Sequence, residues 1–265
     1  MKFRYLILAS LLVILIVPDG ASQKWKLKRY EAIVGVGTAN YFGDIGGSID
    51  ESNWFGLKDL EISGTRPSFY LGARYKIRPN IAVKANFIYG FLTGSDENSL
   101  YSDRGYSFTG SLFEPSLQAE YSIISEEQRT RTSAMFNRRG MMNNYSKFNI
   151  YVFAGIGGAF AHAEQTGVYP DRVSTGGQID FVKDKAFGLV FPAGVGGKFV
   201  LSGYWSVGAE LGGRLATTDY LDGFTTIWSE HNDIYYFLTL QVIYRVKTSR
   251  QGYPIIFRTR RSPFG

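Results

Sequence analysis

Three residues near the end of the chain have the side-chain types of a hydrolytic triad: Ser229, His231 and Asp233. A hydroxyl nucleophile, an imidazole base and an orienting carboxylate perform acyl transfer only when they converge in space. A spacing of two residues makes them, at best, neighbours along one face of a single strand. We therefore expect a solvated loop here, and the sequence predicts no catalytic residue.

Oxygen ligands for a divalent cation are the second candidate chemistry. Asp44 follows the first predicted strand, and Asp219 and Asp222 follow the seventh. In a closed barrel these strands lie near each other, so the three carboxylates could meet around an ion. Aspartates beside glycine also form turns without any ion, and both interpretations stay open. The prediction is no metal, with these three residues as weak candidates.

The residue counts argue against disulfides, against metal sites built from cysteine or histidine, and against a phosphate-binding loop. The chain has no cysteine and only two histidines, His162 and His231. Disulfides and cysteine-based metal sites are therefore excluded, and a multi-histidine site is disfavoured. The glycines follow strand alternation, and no Gly-Lys-Ser/Thr of a phosphate-binding loop follows them. We expect no cofactor.

The first residues have the pattern of an export signal. Lys2 and Arg4 precede an apolar run over residues 5–17, and small residues follow it. A run of this length falls short of the roughly 20 residues that a spanning helix needs. The pattern predicts a secretory signal peptide over residues 1–22, and an exported mature chain that begins at Gln23.

Strict alternation of apolar and polar residues recurs through the rest of the chain and predicts β-strands. Each of these segments is long enough to cross a bilayer as a tilted strand. Prolines 67, 115 and 192 fall inside them and should mark bulges or strand ends. The eight predicted strands are 30–42, 66–77, 80–92, 107–124, 147–160, 186–201, 204–217 and 233–247.

Alternation alone leaves open whether the apolar face points into a soluble, lipocalin-like barrel or out into a membrane. Glycines and charges of both signs on the polar face, with Phe and Tyr at the strand ends, favour the membrane. We predict an ion-paired network inside the barrel, plugged further by Tyr151, Phe153 and Phe237, although a small pore remains an alternative. Glu31, Lys76 and Lys198 share that face. The predicted network consists of Arg74, Lys84, Glu114, Glu120, Glu210, Arg214 and Arg245.

Charge separates between the two ends of the predicted barrel. The outer loops 43–65, 93–106, 161–185 and 218–232 hold 15 acids and five bases. The inner side is strongly basic, which attracts either anionic lipid headgroups or a periplasmic protein partner. Nucleic acid is a poor partner for an exported chain. The predicted partner-binding residues are Arg129, Arg131, Arg138, Arg139, Arg250, Arg258, Arg260 and Arg261.

Two short motifs carry a resemblance to a known family. They are Tyr41-Phe42-Gly43-Asp44-Ile45-Gly46-Gly47 and Thr218-Asp219-Tyr220-Leu221-Asp222-Gly223. In these residues the chain resembles the PorG-like outer-membrane β-barrels of Bacteroidota-type bacteria, which are associated with type IX secretion. The resemblance implies an eight-stranded barrel that ties the outer membrane to a periplasmic ring of PorK and PorN.

The combined prediction is an all-β, eight-stranded antiparallel transmembrane barrel of the OmpA/OmpX-like kind. Residues 23–247 would form the barrel, and residues 248–265 a basic periplasmic tail. The predicted role is a structural anchor or assembly partner in the outer membrane, in contact with lipid and with a protein such as a secretion-system ring. A small pore is the alternative, and a hydrolase at the rim a weaker one.

Overall fold

The computed structural model describes residues 28–42, 64–96, 105–126, 146–167, 181–225, 233–248 and 253–255. The eight long strands are β1 Tyr30–Phe42, β2 Arg66–Arg78, β3 Ile81–Ser95, β4 Ser107–Ile124, β5 Phe148–Thr166, β7 Lys185–Val200, β8 Trp205–Ala216 and β10 Ile234–Arg245. Two short strands, β6 Phe181–Val182 and β9 Phe224–Thr225, pair with each other. Within these ranges no helix has the length and apolar character to cross a bilayer.

The eight long strands close into one antiparallel barrel. Their order around the barrel is β1, β10, β8, β7, β5, β4, β3 and β2. The barrel closes where β1 pairs with β10, from Glu31 opposite Arg245 to Phe42 opposite Ile234. The predicted fold class is confirmed. Closure matters because it leaves none of the eight long strands with an unpaired edge in lipid.

Two strands are longer than predicted, and one small sheet was not predicted. β3 continues to Ser95 instead of 92, and β5 continues to Thr166 instead of 160. The polar side chains of both extensions suggested a loop. Both extensions are strands because their backbones pair with the first residues of β4. The β6–β9 pair is too short to produce an alternation signal.

The prolines behave differently from the prediction in two of three cases. Pro67 is the second residue of β2, at a strand end as expected. Pro115 and Pro192 lie well inside β4 and β7 without a bulge, so that prediction was wrong. Because proline lacks an N–H, each interrupts pairing on one side while the register continues unchanged beyond it. Between β4 and β5, the pair Phe113–Phe160 is followed by the pair Ser116–Gly157. Between β5 and β7, the pair Ala154–Ala193 is followed by the pair Gly157–Val190.

The orientation of the two strand faces shows whether the outside of the barrel contacts water or lipid. Apolar side chains point outward, with Leu71 57%, Leu240 62% and Phe187 58% exposed, while Lys84 inside is fully buried. A soluble barrel would have the reverse arrangement. An eight-stranded barrel with an apolar exterior and charged side chains buried in its interior is a transmembrane barrel of the outer-membrane type. The chain is therefore a protein of the cell outer membrane.

The barrel interior has two unlike halves. We call the end that carries Tyr30 and Arg245 the terminal end, and the end that carries Phe42 and Ile234 the loop end. Inward side chains toward the terminal end are mostly charged. Those toward the loop end are mostly apolar, including Ile88, Leu92, Phe108, Leu112, Val190 and Phe237.

Glycines on opposite faces of β7 give a test of this packing. A Cβ added to Gly194 would contact the Leu211 carbonyl oxygen and lie 2.8 Å from Cζ of Phe153, whereas one added to Gly197 meets nothing within 4 Å. We expect Gly194→Ala to lower the free energy of unfolding by about 1–3 kcal/mol through overpacking. Gly197→Ala should leave it unchanged or raise it slightly. Urea unfolding in lipid vesicles, followed by tryptophan fluorescence, measures both; equal losses would contradict this account.

Candidate functional site in the barrel interior and at its two ends

Glu31 is the centre of a buried ionic cluster at the terminal end. Register places it opposite Arg74 of β2 on one side and Arg245 of β10 on the other. Its carboxylate accepts hydrogen bonds from Arg74 Nη1 at 2.9 Å, Lys198 Nζ at 2.9 Å and Arg245 Nε at 3.4 Å. Lys76 Nζ lies 3.3 Å away. One carboxylate thus faces four cations in a region closed to solvent.

Two further glutamates continue the cluster toward the middle of the barrel. Glu120 lies 2.6 Å from Arg74 Nε and 2.9 Å from Lys84 Nζ. Glu210 accepts hydrogen bonds of 2.5 Å from Lys84 and from the Tyr151 hydroxyl. The guanidinium of Arg74 lies 4.9 Å from the Tyr151 ring centre, which adds a cation–π contact. Charges and rings together fill the cross-section of the narrow barrel.

Glu126 completes the cluster, although the sequence analysis does not include it in the predicted network. It lies two residues beyond β4, yet its side chain turns into the barrel and is buried. It contacts Lys76, and its oxygens lie 3.1 Å from Lys198 and 2.5 Å from Arg245. A signal existed: the predicted inner face carried six bases and four acids, an excess that calls for another carboxylate.

The neighbouring cations set the protonation state of Glu126. Burial alone would raise the pKa of this carboxyl, because a low dielectric disfavours the charged form. Lys198, Lys76 and Arg245 more than offset burial and lower the pKa from 4.5 to about 2. Glu126 is therefore ionised at neutral pH, and its carboxylate pairs with the cations at the terminal end of the barrel interior.

A second, smaller ionic group lies nearer the loop end. Glu114 accepts a 2.7 Å hydrogen bond from the Tyr235 hydroxyl and lies 3.5 Å from Arg214 Nε. The Arg214 guanidinium lies 4.7 Å from the ring centre of Phe237. All seven residues of the predicted network point inward and take part in ion pairs, but they form two groups instead of one. The predicted plugging residues Tyr151, Phe153 and Phe237 are also buried inside.

The predicted metal candidates have structural contacts where they are described. Asp44 lies outside the described residues. Asp222 is buried and accepts a 2.9 Å hydrogen bond from the Phe224 N–H, the Asx turn that the sequence left as an alternative. Gln165 Nε2 donates to the Asp222 carbonyl oxygen at 2.8 Å. Asp219 belongs to the same segment, and the described residues contain no group of three acids or histidines able to hold a metal.

Asp233 fixes the segment that covers the loop end. Its carboxylate accepts hydrogen bonds from the Tyr41 hydroxyl and, at 2.8 Å, from the Leu221 N–H. Burial raises the pKa of Asp233 well above its ordinary value, and the neighbouring Asp222 raises it further. Leu221 and Phe224 are buried beside it. Segment 221–224 therefore folds into the mouth of the barrel.

The other predicted site residues are separated or lie outside the described ranges. Ser229 and His231 are among the residues not described, while Asp233 is committed to the contacts above. His162 is exposed on β5, with Nδ1 2.9 Å from the carbonyl oxygen of Asp184. The eight predicted partner-binding arginines, from Arg129 to Arg261, all lie outside the described residues, as does the predicted signal peptide. Their roles stay predictions.

Comparisons with known proteins identify likenesses of fold. No protein-family model and no curated protein matches the chain. Among solved structures, Neisserial surface protein A is similar with 13% identity and a TM-score of 0.42, over 82% of this chain and 96% of that one. A major outer membrane protein from Thermus thermophilus has 14% identity and a TM-score of 0.41, over 82% and 99%. Escherichia coli outer membrane protein W has 14% identity and a TM-score of 0.36, over 82% and 97%.

Proposed function

We propose that this protein is a sealed outer-membrane barrel that serves as a structural anchor or assembly partner, and neither a catalyst nor a pore. The observation that carries the proposal is the buried ionic cluster around Glu31, Glu120, Glu126 and Glu210. A barrel of eight strands has an interior just wide enough for side chains. Here it is occupied by paired charges, so its useful surfaces are its exterior and its two ends.

Connection lengths orient the barrel in the membrane. At the terminal end, β2 and β3 are joined through two residues, and β7 and β8 through four. Outer-membrane barrels have short periplasmic turns and longer extracellular loops. The terminal end therefore faces the periplasm. β4 ends, β5 begins and β10 ends at this end of the barrel. We therefore propose that the eight predicted arginines, which follow β4 and β10 in the sequence, act on the periplasmic side.

The proposed partner is a periplasmic protein with an acidic surface. The support is the concentration of eight arginines in two short segments of the sequence, because clustered positive charges attract an acidic surface. The finer proposal is a role in a type IX secretion complex of the PorG-like kind. Its support is the sequence resemblance at residues 41–47 and 218–223.

Neutralising the arginines after β10 tests the partner proposal. The variant carries Gln at positions 250, 258, 260 and 261, and the matched control carries Lys at the same four positions. We expect the Gln variant to insert normally but to lose at least about 90% of the partner that co-purifies from detergent-solubilised outer membrane, while the Lys control keeps it. Quantitative mass spectrometry of the pull-down gives the readout. Equal recovery from both variants would refute a charge-dependent partner.

Single-channel recording separates this role from a pore. Because the interior is filled by ion pairs and aromatic rings, we expect the purified barrel to show no steady conductance in planar bilayers. The variant in which Tyr151, Phe153 and Phe237 are all replaced by Ala should conduct in brief events, since it removes three buried rings. Steady conductance of the unaltered protein would instead establish the pore alternative.

A further inference from the structure

The lipid-facing wall contains a groove near the terminal end. Its volume is about 720 Å³, and its lining comes from β1, β5, β7, β8 and β10. Register explains its shape, because one row of outward residues runs across four strands in the order Leu240, Ala209, Gly197 and Ile150. Two small residues thus lie between two large ones. A Cβ built on Gly197 would contact nothing within 4 Å, so the floor is open.

The next row toward the terminal end closes the groove with larger side chains. Val242, Val207, Phe199 and Phe148 lie side by side across the same four strands. The rings of Phe148 and Phe199 are 4.8 Å apart. The groove is therefore an open apolar recess whose lining toward the terminal end consists of larger side chains.

The rim beyond this row is basic and aromatic. Trp205 and Tyr244 pack with ring centres 4.9 Å apart, and Lys247 Nζ lies 5.0 Å from the Tyr204 ring centre. Lys147, the residue before β5, is exposed like Lys247. No exposed acid occurs in the described stretches 146–148, 199–207 and 244–248. Aromatic side chains of this type lie at the headgroup level of a membrane.

We propose that this groove is a binding site for one anionic phospholipid. An acyl chain lies along Gly197 and Ala209, and the phosphate lies between Lys147 and Lys247. The hydrophobic effect gives no preference here, since a chain leaving bulk lipid is already in an apolar medium. Selectivity comes from the charge of the headgroup and from the shape of the recess. The site does not depend on the anchor role proposed above.

Native mass spectrometry of the full chain in detergent tests the site. Phosphatidylglycerol and phosphatidylcholine with identical acyl chains are added separately, and the fraction of protein that retains one lipid is measured. We expect phosphatidylglycerol to be retained roughly tenfold better or more. Replacing both Lys147 and Lys247 by Gln should remove that preference, because each lysine is expected to increase retention of phosphatidylglycerol roughly fivefold. Lys185→Gln, an exposed lysine at the loop end, should leave it intact.

A second pair of variants tests the recess itself. Ala209→Leu fills the floor and should reduce retention of phosphatidylglycerol roughly fivefold or more, whereas Ala85→Leu, on the opposite wall, should not. If the Ala209→Leu protein fails to fold, the variant with both lysines replaced still tests the proposal, because those lysines are on the surface. Equal retention of the two lipids by the unaltered protein, or full retention by both the lysine and the Ala209 variants, would overturn the proposal.

Discussion

Glu31→Gln is expected to lower the free energy of unfolding by about 3–5 kcal/mol, as when one partner of a buried ion pair is removed. The carboxylate lies within 3.4 Å of nitrogen atoms of Arg74, Lys76, Lys198 and Arg245. Without it, four buried cations share the carboxylates that remain, and low dielectric makes their mutual repulsion costly. The amide of glutamine keeps the volume of the side chain but not its charge.

Urea unfolding in lipid vesicles at constant lipid-to-protein ratio measures this loss. The matched control is Glu164→Gln, the same chemical change on the exposed face of β5, which should leave the unfolding midpoint in place. If the two variants unfolded at the same urea concentration as the unaltered chain, the ionic cluster would contribute nothing to stability. A loss in both would point to an effect of overall charge.

Glu126→Gln is expected to lower the free energy of unfolding by about 3 kcal/mol at pH 7. The pKa of Glu126 is lowered in the folded barrel to about 2, from 4.5. A carboxyl with a lowered pKa stabilises the fold above its unfolded pKa, and that contribution disappears as the pH falls through the folded value. The difference between the unaltered and the variant protein should thus be constant above about pH 5 and shrink steadily toward about pH 2.

Unfolding curves at pH 7, 5, 4 and 3 give this difference directly. Glu164→Gln again serves as the control, since this side chain is exposed on β5 and lies outside the ionic cluster. A difference between the unaltered protein and the Glu126 variant that stayed the same at pH 7 and pH 3 would mean that the carboxylate does not act through its charge. The variant would then be reporting lost packing.

The strands were predictable because their environment is simple. In a barrel between lipid and a polar interior, each residue faces one of two media, so Leu238 and Leu240 alternate with Thr239 and Gln241 without exception. Polar strand ends do not show this contrast. Residues 161–166 of β5 therefore resembled a loop, although the first residues of β4 pair with them.

The interior was predictable by face but not by partner. Alternation indicates that Arg74 and Glu114 point inward, yet it contains no information on stagger, which decides how far along the barrel each lies. The division into two ionic groups follows from that stagger. Glu126 and Asp233 lie beyond strand ends, where no periodicity constrains the direction of a side chain.

The pairing of the first strand with the last has a consequence for the order of assembly. Glu31 lies near the start of β1, whereas Lys198 and Arg245 lie on β7 and at the end of β10. These charges cannot meet until the whole sheet has formed and curled shut, a loop closure of more than 200 residues. An open sheet would lack the contacts of Glu31 with Lys198 and Arg245. These contacts therefore stabilise the closed barrel relative to an open sheet, which makes closure of the barrel more cooperative.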